Sequence, residues 1–293
     1  MKTDQAQNSP PIGGAGQGGG VRFLIISTGY NCEQFVKKNY ASVLAQTYTN
    51  WRLIMISDGS DDGTPQVLFD LLPIDRRTDY NANRLRSDLP IESRDGRKVI
   101  KTCIGNLGAA FRRWHAIKKY AEAGDVVLLL GMDDELLPSA LERIKQEYDA
   151  GKWMTYGNWQ NQHGIGLPPD FQLEFDEETH RSRNYRRVQY RSTAPNTFRK
   201  ELFDKIRESD FIQDKNWIMQ TTESPVMFAC LEMCGKQRIG VIRESIYLYN
   251  MRSKGQMAKK RLGRENQERI YNTIINLPKY PLHEERTLAA RNE

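Results

Sequence analysis

The stretch Val126–Pro138, VVLLLGMDDELLP, decides how the chain is read. An unbroken Val/Leu run ends at Gly131-Met132 and is followed at once by two carboxylates, Asp133 and Asp134. Such a run predicts a strand buried on both faces, as in the middle of a parallel sheet. Gly124 before it and Gly131 and Pro138 after it favour a short strand over a helix. Ligands of open α/β sheets bind at the C-terminal ends of the strands, and that is where the two carboxylates fall. Adjacent carboxylates repel, and a hard divalent cation relieves that repulsion. The alternative is that Asp133 caps a helix starting near Leu137.

Working outward, Val21–Ser27 (VRFLIIS) is a second buried strand, ending at Thr28-Gly29-Tyr30-Asn31. Glu33–Gln46 carries apolar residues at helical spacing, with Phe35, Tyr40, Val43 and Leu44 on one face. Trp51–Ser57 is a third strand, ending at Asp58-Gly59-Ser60. A helix over 65–72 follows, with Thr64 as its N-cap and Pro65 at its first position. Residues 73–98 are polar and weakly periodic and are read as a loop. Lys98–Ile104 is a strand, and Asn106-Leu107-Gly108 opens a helix running through Tyr120. Strands alternating with helices predict a parallel, right-handed α/β sheet.

Beyond Pro138 the reading gives a helix Ala140–Tyr148 and an aromatic strand Trp153–Trp159. Residues 160–195 are irregular, with Arg181, Arg183, Arg186, Arg187 and Arg191 clustered. Helices follow at 200–208 and 224–234, and a strand at Arg238–Ile242. Residues 1–20, rich in Gly, Pro and polar side chains, read as a disordered leader outside the fold. Residues 256–293 read as a charged tail with one amphipathic stretch, Arg264–Ile275.

The bulk numbers narrow the partners. With 293 residues and 39% hydrophobic composition the chain can bury one large domain, 21–255. A net charge of +6 is compatible with nucleic acid, acidic lipid or nucleotide phosphate. The basic residues form no aromatic-interleaved module, which argues against nucleic acid. Cys32, Cys103, Cys230 and Cys234 form no CxxC pair and read as reduced thiols. No stretch approaches the roughly 20 apolar residues of a membrane span, and no secretory signal core is present. A cytoplasmic location is expected.

The opening LIISTGYNCEQFVKKNYASVLAQTYTNWRLIMISDGSDDGT resembles the start of family 2 inverting glycosyltransferases, which have the GT-A fold. That family shows a strand ending in (P/S)TYN, a helix ending SxLxQTY and a strand ending DDGSxDxT. Asn106-x-Gly108, the arginines after it and Asp133-Asp134 continue the match in order. The resemblance is strong over 21–138 and weaker over 150–255. It implies a single GT-A domain with a mainly parallel sheet and transfer of a sugar from a nucleoside diphosphate, UDP favoured, to a glycan hydroxyl with inversion.

The resemblance also assigns residues. Thr28, Tyr30, Asn31, Asp58, Asn106, Arg113 and Asp133 would hold the nucleotide, Asp58 by accepting the uracil N–H. Asp133 and Asp134 would hold the metal, Mg²⁺ or Mn²⁺, with Gly131 standing where the family has the first acid. The base would be Glu223, since Ser224 occupies the usual acid position, with Asp214 as second candidate. Arg252 and Lys254 would receive the diphosphate. Tyr156 and Trp159 would face the acceptor sugar, and Arg112 is read as a surface charge. Two other readings are a nucleotide-binding relative that has lost catalysis and a nucleotidyltransferase. The second lacks the Gly-rich phosphate loop after the first strand.

Overall fold

The computed structural model describes residues 20–72, 90–251 and 263–283. Its centre is β5, Asp125–Gly131, and the alternation of its side chains sets up everything around it. Val126, Leu128 and Leu130 enter one apolar core, Val127 and Leu129 the other, as the two-residue period of a strand requires. That is why the run is continuously apolar.

On one side of β5 lies β1 (Arg22–Gly29), then β2 (Trp51–Ser57) and β4 (Lys98–Thr102), all parallel. Strand β3 (Pro90–Glu92) closes that edge antiparallel. On the other side come β8 (Asn196–Arg199), β7 (Met154–Gln160), β11 (Ile239–Leu248) and β6 (Glu135–Leu136), giving the order β3-β4-β2-β1-β5-β8-β7-β11-β6. Strand β8 runs antiparallel to both β5 and β7. Strand β8 is four residues long and follows Pro195, so it carries no readable period in the sequence. The sheet remains mainly parallel. A small hairpin, β9 (Ile212–Gln213) with β10 (Asn216–Trp217), stands apart.

Helices cover both faces. One core receives α1 (Val36–Leu44), α2 (Thr64–Asp70) and α4 (Ala140–Asp149) through Val36, Leu68 and Ile144. The other receives α3 (Gly108–Tyr120), α7 (Ser224–Cys234) and α8 (Arg264–Ile275) through Trp114, Met227 and Ile270. Short helices α5 (Glu177–Ser182) and α6 (Lys200–Phe203) are the other α-helices among the described residues. The stretch read as a tail helix therefore shares the main core. Residues 1–19, the leader, lie outside the described residues.

Two expectations about helix faces change. On α1 the buried positions are Val36, Asn39, Ser42 and Val43, while Leu44 is exposed. Polar residues point inward there because they hold the chain after β5, as described below. The start of α2 is served by Asp62, whose Oδ1 accepts from the amide N and hydroxyl of Thr64.

The arginine cluster of 181–191 is consumed internally. Arg186 is buried against the carboxylate of Glu232 at 2.7 Å, and Arg183 and Arg191 donate to backbone carbonyls. Arg183 and Arg186 staple the irregular 160–195 segment to α7 and to the 280 region, while Arg191 ties the segment to itself. No described helix is long and apolar enough to cross a membrane.

Candidate active site

Parallel register places Thr28 beside Ile56 on one side and Gly131 on the other, so the ends of β1, β2 and β5 lie level. The chain leaves β1 toward β2 on one side and returns to β5 on the other, which opens a crevice at the strand tips. A cavity of about 960 Å³ occupies it. That volume is at the upper end of small-molecule sites, which run to roughly 1,000 Å³. Of the expected residues, Thr28, Tyr30, Asp58, Asn106, Arg113 and Asp133 line it, as do Asp134, Trp159 and Glu223.

Asp58 is 3% exposed and its carboxylate is heavily engaged. Oδ1 accepts from the amide N of Leu107 (3.0 Å) and from Arg112 Nε (2.7 Å), and Oδ2 accepts from the amide N of Gly108 (2.7 Å). The side chain thus fastens β2 to the start of α3, where exposed amides favour an anion. Arg112 is a buried partner of Asp58, not a surface charge. Both arginines are buried near the start of α3.

Arg113 reaches the other way. Its Nε donates to Thr28 Oγ1 at 3.0 Å, and its Nη1 bonds Glu223 Oε1 and lies 3.4 Å from Thr222 Oγ1. Glu223 immediately precedes α7 and keeps about a third of its side chain exposed. The guanidinium therefore spans from a strand tip to the expected base.

The two acids after β5 have different fates. Asp134 is buried, its Oδ2 accepting from the Tyr247 hydroxyl and its Oδ1 from the amide N of Asn250, both at 2.7 Å. Burial and the nearby Asp134 push the Tyr247 phenol well up, so it stays a donor. Asp133 is half-buried on the cavity wall. Helix α4 begins at Ala140, so Asp133 caps nothing. A Cβ at Gly131 would lie 2.5 Å from Asp134 Oδ2 and 2.8 Å from Asp133 Oδ1, so a side chain there requires these carboxylates to shift. Asn39 fixes the turn, its Nδ2 donating to the carbonyls of Gly131 (2.8 Å) and Asp134 (2.7 Å) and its Oδ1 accepting from Ser27 Oγ (2.9 Å).

Three expected site residues are corrected. Tyr156 is fully buried and packs on Phe175 in the core, not against an acceptor. It lies an odd number of residues from Trp159 on β7 and so points to the opposite face; Trp159 lines the cavity, 5.1 Å from Tyr249 between ring centres. Asn31, at φ 55°, spends its amide on Asp61, donating through Nδ2 and accepting from the Asp61 amide N. Asp214 is exposed and paired with Arg269, away from the cavity. Arg252 and Lys254 lie outside the described residues.

Sequence reading missed two contributors. Asn39 and Ser42 on α1 and Gln46 just after it look like surface residues but bond the backbone of 131–141. Helix α8 supplies a cavity wall through Gln267, Tyr271 and Asn272. Polar residues three and four apart, flanked by Ile270 and Ile274, are the signal that could have found it.

Among the described residues no group of three His, Cys, Asp or Glu side chains is arranged to hold a metal ion. With Asp134 engaged by Tyr247, the pair of acids after β5 offers a hard divalent cation one carboxylate, Asp133. That suits an ion which takes one or two protein carboxylates and completes its shell from substrate phosphate oxygens and water.

The strand order and the cavity at the strand tips define the class as a GT-A fold. The family described as glycosyl transferase family 2 matches residues 24–207, more than half of the chain, and the protein belongs to that family. An uncharacterized glycosyltransferase of Haemophilus influenzae is 35% identical over 60 residues, 20% of this chain and 19% of the relative. The putative glycosyltransferase EpsE of Bacillus subtilis is 40% identical over 48 residues, 16% of this chain and 17% of the relative. The aligned part is thus under a fifth of either relative. Among solved structures, S. aureus TarS 1-349 in complex with UDP-GlcNAc superposes with TM-score 0.55 at 16% identity, over 89% of this chain and 68% of that one. The mannosyltransferase PcManGT from Pyrobaculum calidifontis, in complex with GDP-Man and Mn2+, gives 0.54 at 15% identity, over 89% and 66%. At that identity these likenesses speak for the fold.

Proposed function

We propose that the protein transfers a sugar from a nucleoside diphosphate, UDP favoured, to a hydroxyl of a glycan acceptor, inverting the anomeric configuration. The observation that carries the reading is the meeting of Thr28, Asp58, Arg113, Asp133 and Glu223 around one cavity at the tips of β1, β2 and β5. Support comes from the family match and from the solved relatives, whose ligands are a UDP-sugar in one case and a GDP-sugar with Mn2+ in the other.

In this reading Thr28, Tyr30, Asp58 and Asn106 hold the nucleotide. Arg252 and Lys254, on the resemblance alone, receive the diphosphate. Asp133 is the protein ligand for Mg²⁺ or Mn²⁺, which when bound would offset the negative charge of the departing diphosphate. Glu223 accepts the proton of the acceptor hydroxyl, whose oxygen forms the new bond to the anomeric carbon. The old bond breaks with its electron pair going to the nucleoside diphosphate. Arg113, held by Thr28, fixes the direction of the Glu223 carboxylate and balances its charge.

A second reading, a relative that binds nucleotide without turning it over, draws on Ser224 at the usual acid position and on the pairing of Glu223 with Arg113. Incubation with UDP-sugars and Mn²⁺, followed by proton NMR of the anomeric signals, separates the two. Inverted product, or slow donor hydrolysis, supports the transferase. Product of retained configuration would overturn the single displacement, and UDP binding without turnover of any donor would favour the second reading.

A further inference from the structure

Helix α8 lies beyond the matched family region, which ends at residue 207, yet it forms one wall of the cavity. Its cavity positions are 264, 267, 268, 271 and 272, spaced three and four apart as one face of a helix must be. The adjoining face carries Ile270 and Ile274, both buried in the main core. The helix is therefore anchored by one stripe and presents another to the cavity. Gln220, just before the base, accepts a hydrogen bond from Asn266 Nδ2 at 2.9 Å, which ties α8 to the segment that carries Glu223.

The chemistry of the presented stripe is specific. Arg264 and Glu268 pair with each other at 2.8 Å, so the charges on this face cancel. What remains is two amides, Gln267 and Asn272, and the phenol ring of Tyr271. That ring is half-buried and held from behind by Phe228, at 6.3 Å between ring centres. Amides donate and accept hydrogen bonds together, as sugar hydroxyls require. A rigid aromatic surface offers packing area at low entropic cost. The stripe has no uncompensated cation for an acidic acceptor and no continuous apolar strip for a lipid tail.

We infer that the α8 face formed by Gln267, Tyr271 and Asn272 is the acceptor-recognition wall, and that it takes a neutral, polyhydroxylated carbohydrate. The inference rests on the reading of the cavity as a donor–acceptor site and deepens it. A cavity of about 960 Å³ leaves room for a second reactant beside a nucleotide-sugar. The acceptor would reach the site across α8 and lay a hydroxyl beside Glu223, which shares the cavity.

The test uses the full chain with saturating UDP and Mn²⁺ on immobilised panels of neutral oligosaccharides, acidic oligosaccharides and peptides. UDP affinity is measured separately by calorimetry. Binding to at least one neutral oligosaccharide is expected, weakened about tenfold or more in Gln267→Ala and Tyr271→Ala and recovered in Tyr271→Phe, with UDP affinity unchanged within about twofold. Gln267 is exposed, so its variant folds even if truncation of Tyr271 loosens the packing on Phe228. Oligosaccharide binding that ignores both substitutions, retention of acidic glycans or peptides only, or no retention at all with UDP bound would overturn the inference. Failure to bind UDP in the wild-type protein would instead sink the donor reading beneath it.

Discussion

The strand-tip wall of the cavity and the α7–α8 wall are built on opposite principles. At the strand tips the polar groups are largely bonded to one another: Asp58 to Arg112 and two amides, Asp134 to Tyr247, Asn39 to two carbonyls, Thr28 to Arg113. On α8 the polar stripe is presented to the cavity while a separate apolar stripe holds the helix. One wall obtains its geometry from internal polar bonds, the other from hydrophobic anchoring. Substitutions should therefore cost stability on the first wall and spare it on the second.

The largest effect is expected at Arg112. Removing it leaves the Asp58 carboxylate buried without its cation, and Arg112→Ala should lower stability by about 3–5 kcal/mol in urea unfolding. Arg264→Ala, on the exposed pair of α8, should fall within about 0.5 kcal/mol of wild type. Equal losses at both positions would erase the contrast. Next comes Asn39→Ala, which strips the donor from two carbonyls and should cost about 1–3 kcal/mol. It should also weaken UDP binding, because the turn carrying Asp133 loses its clamp.

Gly131→Asp sharpens the comparison further. Restoring an acid in the family position adds a carboxylate to the metal turn, but the new Cβ meets the Asp133 and Asp134 carboxylates. Lower stability by about 1–3 kcal/mol and a weaker Mn²⁺-dependent UDP response are expected. A stronger response would mean that the turn rearranges freely. The smallest effect belongs to Tyr156→Phe. Its hydroxyl is buried without a hydrogen-bond partner among the described residues, so losing it should be neutral or slightly stabilising, with transfer rate unchanged.

How much of this was legible in the sequence follows from the same contrast. Strand β5, the helix opening at Gly108 and the bounds of α7 and α8 can be read because a continuous apolar run or a 3.6-residue period announces them. The strand-tip residues Thr28, Asp58 and Asp133 could be read because each ends such a run. Strand parity, unheeded, put Tyr156 on the wrong face. What stayed hidden were polar side chains whose partners are backbone groups far along the chain, such as Asn39 with residues 131 and 134. Composition cannot distinguish those from a solvated face. Arg112 was misread for the same reason, its partner Asp58 lying 54 positions away.

In the proposed transferase, Asp133 acts together with bound nucleotide at the strand tips. Thermal unfolding with UDP, with and without Mn²⁺, in wild type and Asp133→Ala measures this, since ligand affinity for the folded state appears as added stability. A UDP-dependent rise in Tm that Mn²⁺ enlarges in wild type, with the Mn²⁺-dependent part lost in Asp133→Ala, is the predicted result. The same Mn²⁺-dependent rise in both proteins would contradict it.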